Sequence, residues 1–413
     1  MNITELEKII AQIKKYQLED NIRNIENWLR KLNKKQIKNF VNISIEPHQL
    51  KEILKFKSLL VNKVALNGDY YLEDIKFVND AKNDVIIASC LKSVAENKYS
   101  LKSEHHREDM KLIADAKTFT IAIYLSGVSM DVNSLESEYH REDMKLIANA
   151  KSQKIAWRLE GVAENKCSLE SEHHRQDMKL IADAKNDIIA DCLHDVACSK
   201  DSLESEHHKE YMKLIADAKN YTIAACLRDV ACSKDSLENE YHREDMMLIA
   251  SAKTDEIAYS LMSAAMNENS LERGDHREDM KLIADAKTDK IANYLSRVSM
   301  DADSLESEYH REDMKLIADA KNDVIANCLS RVSMNVNSLE SEHHIEDMKR
   351  LANAKNDKDA NEIYDNIIKR YEVKNKKDYV TFQEKIGAIH QNAIKYTDGD
   401  TTKELNDSVF TLK

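Results

Sequence analysis

The chain has 413 residues but one Pro and six Gly, where an average chain of that length holds roughly 20 and 30. That scarcity excludes a fold built on hairpin turns and leaves a helix-forming composition. The formal net charge of −13 makes the chain a poor partner for phosphate backbones, which need Lys and Arg to displace counterions.

The N-terminal stretch, 1–64, is basic: residues 1–60 hold 12 Lys/Arg against 7 Asp/Glu, about +5, leaving about −18 for the rest. Ile3, Leu6, Ile9, Ile10 and Ile13, then Ile22, Ile25, Trp28 and Leu29, follow helical spacing. This head is expected to be a small helical cap, because the end of a repeat array needs an atypical sequence to cover its apolar face. The amphipathic start, Met1 to Lys15, has two Glu and does not read as a signal peptide. No apolar run approaches the roughly 18 residues of a membrane span.

A repeat dominates the rest of the chain. Residues 65–99 form a degenerate copy, and eight clear copies run from Ser100 to about Tyr371. One His marks each clear copy: His106, His140, His174, His208, His242, His276, His310 and His344, every step being 34 residues. A fixed period of that size implies a stacked array in which each unit buries its apolar stripe against the next. The domain organisation is therefore an N-terminal cap (1–64), a repeat array (65–371), and a closing helix with a polar tail (372–413).

The copy at 134–167 serves as the type. Ser137 is a plausible N-cap for a first helix of about 13 residues that carries His140, Met144, Ile147 and Lys151 on one line, widened by Leu146 and Ala150. Leu135 is expected to act as an apolar staple ahead of that cap. Ser152, and Thr118, Asn186, Asn220, Thr254, Thr288, Asn322 and Asn356 in the other copies, are N-cap residue types. A second helix of about 12 residues is expected to start there, with Ile155, Ala156, Leu159, Val162 and Ala163 on one face. The fold class is thus all-α, an α-solenoid of about nine helix–turn–helix repeats with helical caps.

The repeated His stands three residues before an Asp in most copies, as in His140 and Asp143, but His208 is followed by Tyr211 instead. One His–carboxylate pair per helix offers too few ligands for a metal. The eight His are expected to be structural, bonding a backbone group or an adjacent repeat. Their charging below pH ~6.5 is a route by which acid could loosen the stack. The residue just before most of them, such as His105, Tyr139 or His173, reads as a surface aromatic. Seven Cys, an odd number without C-x-x-C, fit reduced thiols in a cytosol and not a disulfide frame.

Around this nearly fixed phrase, two neighbouring positions of the second helix vary most. They supply Tyr124, the pair Trp157 and Arg158, Asp191, Tyr259, the pair Asn293 and Tyr294, and Asn327. Aromatic and Arg residues of this kind anchor interfaces, so these eight are the candidate binding ridge. No Gly-rich phosphate loop, G-x-S-x-G or H-E-x-x-H occurs. No catalytic residue, metal ligand or cofactor is expected.

The hairpin size resembles the tetratricopeptide, pentatricopeptide and TAL-effector repeats, but their motifs are absent. The phrase His-Arg-Glu-Asp-Met-Lys-Leu-Ile, followed by Ala-Lys-Thr/Asn-Asp, resembles arrays in uncharacterised proteins of low-GC Gram-positive bacteria. That resemblance covers about 100–355; it implies a bacterial origin and brings no activity with it. The expected role is a non-enzymatic, cytoplasmic scaffold for a protein or peptide partner, without membrane. The alternative is a repeat protein that reads single-stranded nucleic acid through the variable positions, which the acidic charge disfavours.

Overall fold

A computed structural model describes Ala11, residues 70–81 and residues 84–371; the expected caps at 1–64 and 372–413 lie outside this range. All regular structure among these residues is helical. The described residues fall into two compact units, divided between Ser251 and Ala252. Within each, successive helices pack against one another as an α-solenoid of repeats. No helix among the described residues is long and apolar enough to cross a membrane.

Each repeat contains three helices, one more than its apolar pattern suggests. In the type copy the third is a single turn, Val132–Glu136; the next copies have Lys166–Leu169 and Lys200–Leu203. The side chain of Asp131 caps it by accepting from the Ser134 N–H at 2.9 Å, and Asn165 does the same for Ser168 at 3.0 Å. The short turn leads to the His-bearing helix, His140–Ala148. Ser137 therefore ends the short helix instead of capping the longer one. Its hydroxyl accepts from the Tyr139 N–H at 3.1 Å and turns the chain into the next helix.

The second helix begins where its cap residue predicts. Ser152 accepts from the Ile155 N–H at 3.1 Å ahead of Gln153–Glu164, and Asn186 accepts from Ile188 and Ile189 ahead of Asp187–Cys198. Thr118, Asn220, Thr254, Thr288 and Asn322 cap their helices in the same way. Asn356, at the head of the helix 357–371, accepts from the Asp359 N–H at 3.0 Å.

The core lies between the two longer helices of a repeat and their neighbours. Met144, Ile147, Ala156, Leu159, Val162 and Ala163 are all 0 % exposed. Burying one such aliphatic side chain contributes roughly 1.5–3 kcal/mol, which helices of 9–12 residues need, since they are too short to persist alone. Lys151 leaves the apolar line. It is exposed, and its Nζ donates to the Asp183 carbonyl at the end of the next His-bearing helix, 3.1 Å away. There a cation meets the negative end of the helix dipole.

Candidate functional site

Two features bear on function: a buried polar ladder and the second-helix face. The ladder is built from the repeated His. His174 is 0 % exposed. Its Nδ1 lies 3.0 Å from Ser168 Oγ of the same repeat, and its Nε2 lies 2.9 Å from Asp143 Oδ2 of the preceding one. The Ser–His contact recurs in all eight copies at 2.8–3.2 Å. The bond to the preceding Asp recurs for His106, His140 and His208 in the first unit and for His310 and His344 in the second, at 2.8–3.1 Å. A carboxylate acceptor requires the proton on Nε2, which leaves Nδ1 to accept from the serine hydroxyl. The last Asp of the ladder, Asp347, is closed by the Tyr371 hydroxyl at 2.6 Å and by Arg370 at 2.8 Å.

These three residue types are those of a hydrolase triad, but the arrangement is structural. The serine bonds Nδ1 instead of Nε2, and serine, His and Asp are all closed off from substrate, with Ser168 at 0 % and Asp143 at 1 % exposure. Burial pushes the Asp143 carboxyl above its ordinary value even though His174 bonds it. Each rung keys one repeat to the previous one, because a shifted register would leave both polar groups buried and unpaired. The aromatic that precedes most of these His belongs to the ladder as well, although Asp275 takes its place before His276 and His207 packs on Tyr211 instead. Tyr139 lies over His174 and His173 over His208, with ring centroids 5.0 Å apart in both, so this position covers the next His instead of forming a surface feature.

The rung at Tyr211 is broken. Here Tyr replaces Asp, and Nε2 of His242 has no hydrogen-bond partner. Its Nδ1 keeps Ser236 at 2.8 Å, and the Tyr211 ring stands edge-on to it with centroids 4.6 Å apart. Burial and the nearby His207 hold the His242 imidazole down at about 4.

On the second helices the structure splits the variable pair. The first position is exposed where it is aromatic, Trp157 at 45 % and Tyr259 at 49 %, and half-buried at Asp191 and Asn327. The second faces the neighbouring repeat and is buried where it is small, as at Cys192, Cys226, Ser260 and Cys328. In the first unit the candidate residues consume one another. Arg158 stacks on Trp157 at 4.1 Å and donates to Asp191 at 2.6 Å, and Asp191 also takes Lys154 at 3.1 Å. Tyr124 is half-buried beside Glu160. In the second unit Tyr259, Asn293 and Tyr294 line one groove of about 430 Å³ with Lys290, Arg297 and Met300. Asn327 is half-buried on the following second helix.

Gly127 makes room for two carboxylates, since a Cβ there would lie 2.8 Å from Glu160 and 3.0 Å from Glu164. Burial, and then Glu164, raise the Glu160 carboxyl to about 7. Glu160→Gln is expected to stabilise the first unit by about 1–2 kcal/mol at pH 8, after discounting for solvent screening, and by little at pH 5. Urea denaturation at the two pH values checks this.

A Cys–His–Asp series also occurs, with Cys198 Sγ 3.8 Å from His194 Nε2 and His194 Nδ1 3.1 Å from Asp195. Burial pushes the Cys198 thiol up to about 12, so it stays protonated at neutral pH and is not an activated nucleophile. None of the seven cysteines forms a disulfide. No group of three or more metal-ligating side chains occurs among the described residues. The outer face of the His-bearing helices neutralises itself from repeat to repeat: Arg141 meets Glu108 at 2.7 Å, Arg175 meets Glu142 at 2.6 Å, and Arg311 pairs with Glu278. These exposed pairs contribute little.

The fold and this face define a class, a helical-repeat protein with a variable surface on the second helix of each repeat. No protein-family model and no curated protein matches the chain.

Proposed function

We propose that the chain is a non-enzymatic scaffold that binds peptide segments of partner proteins on its second-helix face. The observation that carries this is the groove of Tyr259, Asn293 and Tyr294. Among the described residues its Arg297 makes no ion pair, and the Asn293 amide and both tyrosine hydroxyls have no hydrogen-bond partner. A groove that joins two aromatic rings to unspent donors and acceptors suits an extended peptide. The rings supply anchor area, and the amide can pair with backbone N–H and C=O. The absence of a disulfide among the seven cysteines supports a reducing bacterial cytoplasm as the setting.

Panning a random-peptide phage library on the intact chain should enrich peptides with a shared motif. By fluorescence anisotropy, Tyr259→Ala/Tyr294→Ala should weaken those peptides at least tenfold. Enriched peptides that bind the double variant equally well would overturn the assignment. So would salt-sensitive binding of mixed single-stranded RNA or DNA that the same variant abolishes.

A further inference from the structure

The broken rung opens a cavity that an intact rung does not. One repeat earlier, the groove between successive short helices, about 450 Å³, ends short of the buried ladder, where Asp177 holds Nε2 of His208 at 2.9 Å. At the Tyr211 substitution the same kind of groove enlarges to about 620 Å³ and reaches both Tyr211 and His242. His242 is 3 % exposed, and no protein group uses its Nε2. An unpaired buried nitrogen is costly, and intact rungs avoid it.

The cavity wall selects the sign of what could fill it. Asp201, Glu204, Glu206, Glu238 and Glu240 surround it, against Lys234 and Arg243. Both cations are already engaged, Lys234 with Glu238 at 3.7 Å and Arg243 with Glu210 at 2.8 Å. The floor is aromatic and uncharged, formed by Tyr211 and the neutral His242, with His207 at the side. When the ring gives its Nδ1–H to Ser236, Nε2 keeps a lone pair and accepts a donor.

We propose that this cavity binds an organic cation, a guanidinium or alkylammonium group, held by the surrounding carboxylates and the aromatic floor, with Nε2 of His242 as its acceptor. Glu204 and Glu238 are paired with Lys200 and Lys234 at 3.6 and 3.7 Å, but Asp201, Glu206 and Glu240 have no Lys or Arg partner among the described residues, and cations are attracted both to such carboxylates and to aromatic rings.

The test uses the full chain with His ring nitrogens labelled with ¹⁵N, and two probes: spermidine, and the peptide acetyl-Gly-Arg-Gly-amide. Calorimetry should give saturable binding of at least one probe. Glu206→Gln/Glu240→Gln should weaken it at least tenfold, and the His242 Nε2 resonance should move in step with occupancy. Binding of spermidine alone assigns a free polyamine as the source, and binding of the peptide assigns a basic side chain; either supports the site. The proposal is overturned if neither probe saturates, if the double variant binds equally well, if Nε2 stays still at saturation, or if acetyl-aspartate amide binds more tightly than either cation. Glu206 is 87 % exposed and Glu240 is exposed as well, so loss of binding in the double variant does not reflect unfolding.

Discussion

His174→Ala is expected to destabilise the first unit by about 3–5 kcal/mol, because it strips a buried carboxylate of its donor and leaves a cavity behind. His174, at 0 % exposure, receives Ser168 on one nitrogen and holds Asp143 with the other. Without the ring the Asp143 carboxylate sits at 1 % exposure with its main donor gone. Its carboxyl already lies above the ordinary value through burial. It rises further in the variant and takes up a proton, so the variant loses stability as the pH climbs through that raised value. Asp143→Ala removes the charge itself and leaves an unpaired N–H, for a smaller cost of about 1–3 kcal/mol. The chain supplies a natural precedent in Tyr211, where the acid is missing and His242 stays buried. The double variant should lose less than the two single losses combined, because each removes what the other needs. Urea denaturation of the four proteins, with amide exchange over 134–148 and 168–183, measures the cycle. If Asp143→Ala proves costlier than His174→Ala, a buried charge is not what the ring neutralises.

The parts of this architecture that were legible in the sequence are those that one repeat contains. The step from His106 to His140 gave the unit, the residue type at Ser152 and Asn186 gave the start of the second helix, and Met144, Ile147 and Leu159 gave the buried face. The ladder was not legible as a bond, because its two ends lie in different repeats. His174 and Asp143 are 31 residues apart, and only stacking sets which neighbour the ring faces. A signal was nonetheless present. The serine six residues before each His never varies among the eight copies, and at Ser168 its hydroxyl is buried against the ring. The short helix was hidden for a different reason. Four or five residues are too few to show a period, and only the cap at Asn165 or Asp131 marks its start. At the variable pair, the two neighbouring positions could not be told apart as exposed and buried until the neighbouring second helix was in place. Trp157 and Cys192 vary equally in type but differ in exposure, 45 % against 1 %.

Acid sensitivity should concentrate at the broken rung. The folded His242 imidazole titrates near 4, against roughly 6.5 unfolded. Between those values the unfolded chain binds the extra proton, so the stability His242 supports is present above about pH 6.5 and is lost as the pH falls towards 4. The groups that meet the ring are Ser236, the Tyr211 ring and, more distantly, His207; Arg243 is spent on Glu210. None of them supplies a carboxylate to receive the charge, in contrast to Asp143 beside His174. Glu160 acts over nearly the same window with the opposite sign. Its folded value near 7 lies above the roughly 4.5 of an unfolded Glu, so its contribution is complete at low pH and fades as the pH rises through 7. The total stability of the first unit can therefore look flat between pH 4.5 and 7.5 while two local effects oppose each other. The difference between wild type and His242→Gln separates them, because Glu160 is common to both proteins. That difference should move by about 2–3 kcal/mol between pH 7.5 and 4.5, with wild type losing ground as the solution is acidified. Urea denaturation across the range, with amide exchange of 242–251 corrected for intrinsic rates, reads it directly. A difference that does not change with pH would mean that His242 charges in place, its charge met across the cavity by carboxylates such as Glu206 and Glu240.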